Sequence, residues 1–199
     1  MTSLVSMLNR IPRVVLFALA GLIQIAAIAY IVVDRAGILR NGTEVTLQTA
    51  PVDPRDLLRG DYVVLGYTIA SAPTGELRAK PAPGRDTPMY VHLTRGEDGF
   101  HRAVAAHLAP VSVPPGDVLI RGRAINGMNC GKSGPEFCPT VGMRYGIEKY
   151  FVPEGEGREI ESARNQGKVT IIASVAPDGR AAIKRLLLDG KPLYDEPLY

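Results

Sequence analysis

Residues 14–33, VVLFALAGLIQIAAIAYIVV, form a run of twenty residues without a charge, and no other feature constrains the chain as strongly. As a helix the run would be ~30 Å long, the thickness of a bilayer's hydrocarbon core. Twelve of the twenty are Val, Ile, Leu or Phe, each worth roughly −0.3 to −0.6 kcal/mol on insertion, and the one strongly polar residue, Gln24, does not cancel that sum. The run is expected to span a membrane, with lipid as its partner. Arg10, Arg13 and the terminal amine precede it, while Asp34 offsets Arg35 beyond it. The N-terminus is therefore expected inside the cell and the remainder outside. Cleavage is the competing reading, because Ala27-Ile28-Ala29 has the A-x-A form of a signal-peptidase site. The apolar run continues through Tyr30 to Val33, which favours an uncleaved anchor. Ala20, Gln24 and Ala27 share one helix face, where a polar group between small residues suits contact with a second helix. A lone Gln tolerated in a single-span anchor fits the same pattern.

Composition limits what lies beyond. About 166 residues follow the span, enough for one domain with its own core. They carry 21 Lys and Arg against 20 Asp and Glu, so there is no basic face of the kind a nucleic-acid domain needs to displace counterions. The organisation expected is a cytoplasmic N-terminus over residues 1–13, the anchor over 14–33, a linker over 34–42 and an outer domain over 43–199.

That outer domain reads as mainly β, a single antiparallel barrel or sandwich. Short apolar runs separated by Gly, Pro and Asp predict strands over 43–49, 62–69, 89–94, 100–108, 118–125, 143–151, 168–175 and 181–188. Gly96-Glu97-Asp98-Gly99 and Pro177-Asp178-Gly179 carry hairpin-turn chemistry. One helical turn is predicted at 53–58, with Asp53 as N-cap and Pro54 at the first helical position, and a weaker helix at 154–166. Residues 71–88, with four Pro and two Gly, read as a surface loop.

Two blocks carry a pattern more specific than any of these elements. In the first, Gly60, Asp61, Tyr62, Leu65 and Tyr67 spell G-D-Y-x-x-L-x-Y, preceded by Asp53, Arg55 and Arg59. In the second, Tyr145, Gly146, Ile147, Glu148, Tyr150, Phe151, Val152, Pro153, Glu154 and Gly155 spell Y-G-I-E-x-Y-F-V-P-E-G. With the N-terminal span, these blocks resemble the GDYXXLXY family of bacterial proteins. The resemblance implies a small single-span envelope protein, in some cases encoded beside a multi-span membrane protein, and it implies no particular reaction.

Read as residues alone, Tyr62 and Tyr67 point to opposite faces of their strand. Both then pack with hydroxyls satisfied by the backbone, or else Arg55, Arg59, Asp61 and Glu148 converge with them at a polar site. Cys130 and Cys138, the only cysteines, flank a Gly- and Pro-containing loop, and outside the cytoplasm they are expected to join in a disulfide. No metal is expected, since His92, His101 and His107 match no ligand spacing with those cysteines. No cofactor motif, G-x-S-x-G, P-loop or H-E-x-x-H occurs. Two functions follow as expectations. The first is a binding or scaffold module for a membrane or periplasmic partner, with a multi-span membrane protein foremost. The alternative is a periplasmic hydrolase of cell-wall or lipid material using Asp61 and Glu148 as acid and base.

Overall fold

The computed structural model describes residues 12–52, 62–75, 83–129 and 139–197. The chain divides into two compact units at Gly37 and Ile38. The first holds most of helix α1 (Arg13–Asn41), whose apolar window has a mean hydropathy of 2.5 with none of it buried, so this helix is long and apolar enough to cross a membrane.

Residues 34–41, read from sequence as linker, continue the helix, and the reason lies in its last turn. Ile38 and Leu39 are buried against Ala182, with Ala176 packed on the same cluster. The Ile38 carbonyl accepts from the Ser174 hydroxyl at 2.6 Å and from the Gly42 N–H at 3.0 Å. A Cβ at Gly42 would lie 2.3 Å from Ser174 Oγ and 2.9 Å from the Val175 carbonyl oxygen. Only glycine lets the chain leave the helix so close to the sheet and begin a strand at the next residue.

The second unit, from Ile38 to Leu198, is the β domain. In chain order its strands are β1 (Thr43–Ala50), β2 (Tyr62–Val64), β3 (Gly66–Tyr67), β4 (Ser71–Pro73), β5 (Pro88–Arg95), β6 (His101–His107), β7 (Val118–Asn129), β8 (Thr140–Arg144), β9 (Lys149–Phe151), β10 (Val169–Val175), β11 (Ala181–Leu188) and β12 (Lys191–Asp195). Helix α2 (Gly157–Asn165) lies between β9 and β10. All pairings are antiparallel, in sheets ordered β12-β11-β10-β1-β3 and β4-β8-β7-β5-β6 with a separate pair β2-β9. Among the described residues no barrel closes. Period-2 burial drives the architecture: Val45 and Leu47 of β1, Met89, Val91 and Leu93 of β5, and Ile171 of β10 point into one shared core, while their neighbours are less buried or exposed.

The mainly-β fold, both hairpins and the short helix after the second block are as expected, with local differences. The predicted strand 62–69 is broken into β2, β3 and a 3-10 turn, Thr68–Ala70. Residues 143–151 form the end of β8 and all of β9, separated by a turn. Residues 71–73 of the expected loop pair with β8 as strand β4, and β12 was not predicted because its residues are mostly exposed and include Pro192. The predicted turn at 53–58 lies outside the described residues.

One side chain joins the two large sheets. His101, at the start of β6, is buried, and its Nδ1 accepts the Thr46 N–H of β1 at 3.0 Å. That bond needs an unprotonated Nδ1. Burial pulls the imidazole's pKa below the usual histidine value, the Arg95 charge adds to the effect and Asp117 opposes it. A histidine depressed in the fold binds fewer protons there than in the unfolded chain. Its contribution is therefore fully present above about pH 6.5 and declines as pH falls from there toward the depressed value. The urea midpoint is expected to drop between pH 7 and pH 5, and His101→Asn, which keeps an acceptor but does not titrate in this range, should flatten that part of the profile. Equal slopes in the two proteins would assign the drop to other groups.

Candidate functional site

The two sequence blocks meet. Val63 of β2 pairs with Tyr150 of β9, flanked by Tyr62 with Phe151 and Val64 with Lys149, and the Leu65 N–H donates to the Glu148 carbonyl at 2.8 Å. Past this ladder the tyrosines cross over. The buried Tyr67 hydroxyl donates to the Ile147 carbonyl at 2.5 Å, and the buried Tyr145 hydroxyl donates to the Ile69 carbonyl at 2.6 Å. Each block therefore satisfies the other's backbone. Burial, followed by the nearby Glu148 charge, raises both phenol pKa values well above normal. Both hydroxyls therefore keep their protons at physiological pH.

Glu148 serves the same lock. Its carboxylate accepts the Tyr145 N–H, and the Gly146 N–H at 2.9 Å, so it holds the turn between β8 and β9. The proposed acid/base residue thus has both oxygens engaged by backbone donors. Its companion Asp61, together with Asp53, Arg55, Arg59 and Gly60, lies outside the described residues, as do Cys130 and Cys138. Leu65 is 1% exposed and packs in the core.

A residue that sequence reasoning missed completes the arrangement. Arg164 on α2 is fully buried, donating through Nη1 to the Val64 carbonyl and through Nη2 to the Val52 carbonyl at 2.9 Å, with Asn165 Oδ1 at 2.9 and 3.1 Å from Nη2 and Nε. Val52 precedes the first block and Val64 lies within it, so one guanidinium ties the chain ahead of the block to the block's own strand. The available signal is weak: Arg164 is four residues after Ile160, the other buried residue of α2.

The outer face is different in character. Phe151 is 77% exposed, its ring 5.9 Å from the Tyr62 ring and tilted by 58°. The Lys149 ammonium lies 5.0 Å from the centre of that Tyr62 ring, within cation–π range. Tyr150 faces inward with its ring 5.9 Å from that of Tyr194, whose hydroxyl donates to Glu156. Burial raises the Tyr150 pKa, with the Glu196 charge adding to it. Glu154 is exposed after Pro153, before α2 begins. On α1, Ala20, Gln24 and Ala27 are all exposed.

Among the described residues no cluster of His, Cys, Asp and Glu could hold a metal ion. Elsewhere His92 pairs with Asp117 at 2.6 Å, and the Thr94 hydroxyl donates to the same oxygen at 2.9 Å. These bonds, that of His92 foremost, hold the Asp117 carboxyl below its ordinary pKa. This pair was not anticipated.

Fold and site together define a mainly-β protein with one apolar N-terminal helix, in which two sequence blocks brace each other and leave an aromatic and basic strand outside. The model of the GDYXXLXY protein family matches residues 24–186, so the chain belongs to that family. Comparison with curated proteins and with solved structures gave no match.

Proposed function

We propose that this chain is a membrane-anchored binding or scaffold module of the cell envelope, held by residues 14–33 with its N-terminus in the cytoplasm, whose β domain meets a partner through the strand formed by the second block. The observation that carries this reading is Phe151. Its side chain, 77% exposed, stands with the Tyr62 ring on one outer face beside Lys149, and aromatic residues are enriched in interfaces over the rest of a protein's surface. Glu148, one of the two residues expected to serve acid/base chemistry, is by contrast engaged by backbone donors through both oxygens. A multi-span membrane protein suits the anchor.

In the full chain, Phe151→Ser is expected to leave the unfolding midpoint within about 0.5 kcal/mol of the parent, because the ring is exposed. Recovery of partner on co-purification from native membranes should fall about tenfold or more. Undiminished recovery would remove this face from the interface. Gln24→Leu tests the anchor's share of the contact separately.

A further inference from the structure

The hydrogen-bond phase of the β2-β9 ladder fixes where the rest of β9's backbone points. Leu65 and Glu148 form a hydrogen-bonded pair, and antiparallel ladders alternate hydrogen-bonded with non-hydrogen-bonded pairs. By the observed register Val63 and Tyr150 are hydrogen-bonded, while the Val64–Lys149 and Tyr62–Phe151 pairs turn their N–H and C=O groups outward. On the β2 side, the outward Val64 carbonyl is taken by Arg164. On the β9 side, Lys149 and Phe151 direct two N–H and two C=O groups away from β2, and among the described residues β9 pairs with no other strand. Pro153, two residues on, lacks an N–H and limits any extension.

The side chains of that edge are equally specific. Lys149 and Phe151, two apart, share one face with Tyr62, the cross-strand partner of Phe151 and diagonal neighbour of Lys149, consistent with the ring pair and the ammonium over the Tyr62 ring. No carboxylate among the described residues forms an ion pair with Lys149. A lysine on a short edge strand is a common guard against unwanted pairing, but a guard has no use for an exposed Phe two residues along.

We propose that β9 is an acceptor edge for strand addition, and that its occupant is an extended segment of a partner protein bearing a carboxylate opposite Lys149 and an apolar side chain two residues away opposite Phe151. This rests on the binding reading above and specifies its mode. The backbone of the added segment meets the four outward groups of Lys149 and Phe151, and its side chains meet an ammonium and an aromatic ring. The three-residue length of β9 keeps the complex reversible. A second copy of this chain fits less well. β9 against β9 in antiparallel register, centred on Tyr150, sets each lysine opposite a phenylalanine and supplies no carboxylate.

The test uses the full chain in detergent with selectively labelled Lys and Phe amides. The probe is the capped peptide Thr-Thr-Leu-Thr-Glu-Thr-Thr at millimolar concentration, which in antiparallel addition sets Leu opposite Phe151 and Glu opposite Lys149. Hydrogen exchange at the Lys149 and Phe151 amides is expected to slow about tenfold. A peptide with Glu replaced by Lys should need about ten times the concentration, and one N-methylated at alternate residues should give no protection. Absence of protection, or protection indifferent to N-methylation, overturns strand addition. Protection that instead rises with protein concentration and no peptide also overturns it, assigning the edge to a second copy. If Phe151→Ser weakens native partner recovery while the amides never become protected, the binding reading stands and only the strand-addition mode falls.

Discussion

Replacing Arg164 with methionine is expected to destabilise the β domain by about 2–4 kcal/mol, although methionine matches much of the arginine's length and apolar stem. The cost arises from what the guanidinium leaves behind. The Val52 and Val64 carbonyls each lose a charge-assisted donor, and both belong to residues already partly withdrawn from water. An acceptor stripped of its partner costs roughly 1–3 kcal/mol. Arg164→Lys should recover less than half of the loss, because a single ammonium lacks the planar fork that reaches two carbonyls and the Asn165 side chain together. Urea denaturation of the three proteins measures the effect, and equal stability of Lys and Arg variants would show that charge matters here and geometry does not. The larger consequence is local. Val64 lies within the first block and Val52 ahead of it, so amide exchange at Tyr62 and Val63 should quicken in Arg164→Met before the rest of the domain is affected.

Why Arg164 escaped the sequence while Leu65 did not follows from the range of the forces involved. Burial of Val45, Leu47, Leu65, Met89 and Val91 is written locally, because alternate residues on a strand share a face and the alternation survives in the sequence. The hairpin turns are local too, with Gly99 and Gly179 at φ +80° and +84°. Arg164 binds carbonyls 100 and 112 positions away, and nothing in its neighbourhood distinguishes it from a solvated helix arginine. Glu148 is an intermediate case. Its bonds reach back only two and three residues, yet residues 143–151 read as one strand because the apolar alternation runs across the turn it holds. Tyr67 was legible as a tyrosine with a satisfied hydroxyl, but its partner, Ile147, and the reciprocal bond from Tyr145 to Ile69 depend on the two blocks meeting. The motif therefore reads as a site in sequence and as a brace in space, with Phe151 the exposed ring on its outer side.

Gly179→Ala is expected to cost about 3 kcal/mol, of which only about 1 comes from the backbone angle. Gly179 sits at φ +84° in the β10-β11 hairpin, where its N–H donates to the Ala176 carbonyl at 2.8 Å. The carbonyl of Gly179 accepts the Arg121 N–H of β7 at 2.7 Å, so this turn, made by the first sheet, is bonded to the second. A Cβ added there would stand 2.9 Å from Arg121 N, 3.0 Å from Arg121 Cβ and 3.2 Å from the Leu119 carbonyl oxygen. Two of the three are backbone atoms of a central strand and cannot rotate aside. The hairpin would have to lift from β7, giving up the Arg121 bond and the packing around it. Gly190 provides the control: it has φ +77° with nothing within 4 Å of a built Cβ, so Gly190→Ala should show the angular cost alone. Unfolding midpoints that fall equally in the two variants would mean that the hairpin's contact with β7 contributes nothing. A drop about three times larger for Gly179→Ala, with faster exchange at the Arg121 amide, would identify this turn, together with the His101–Thr46 bond, as a tie between the two sheets.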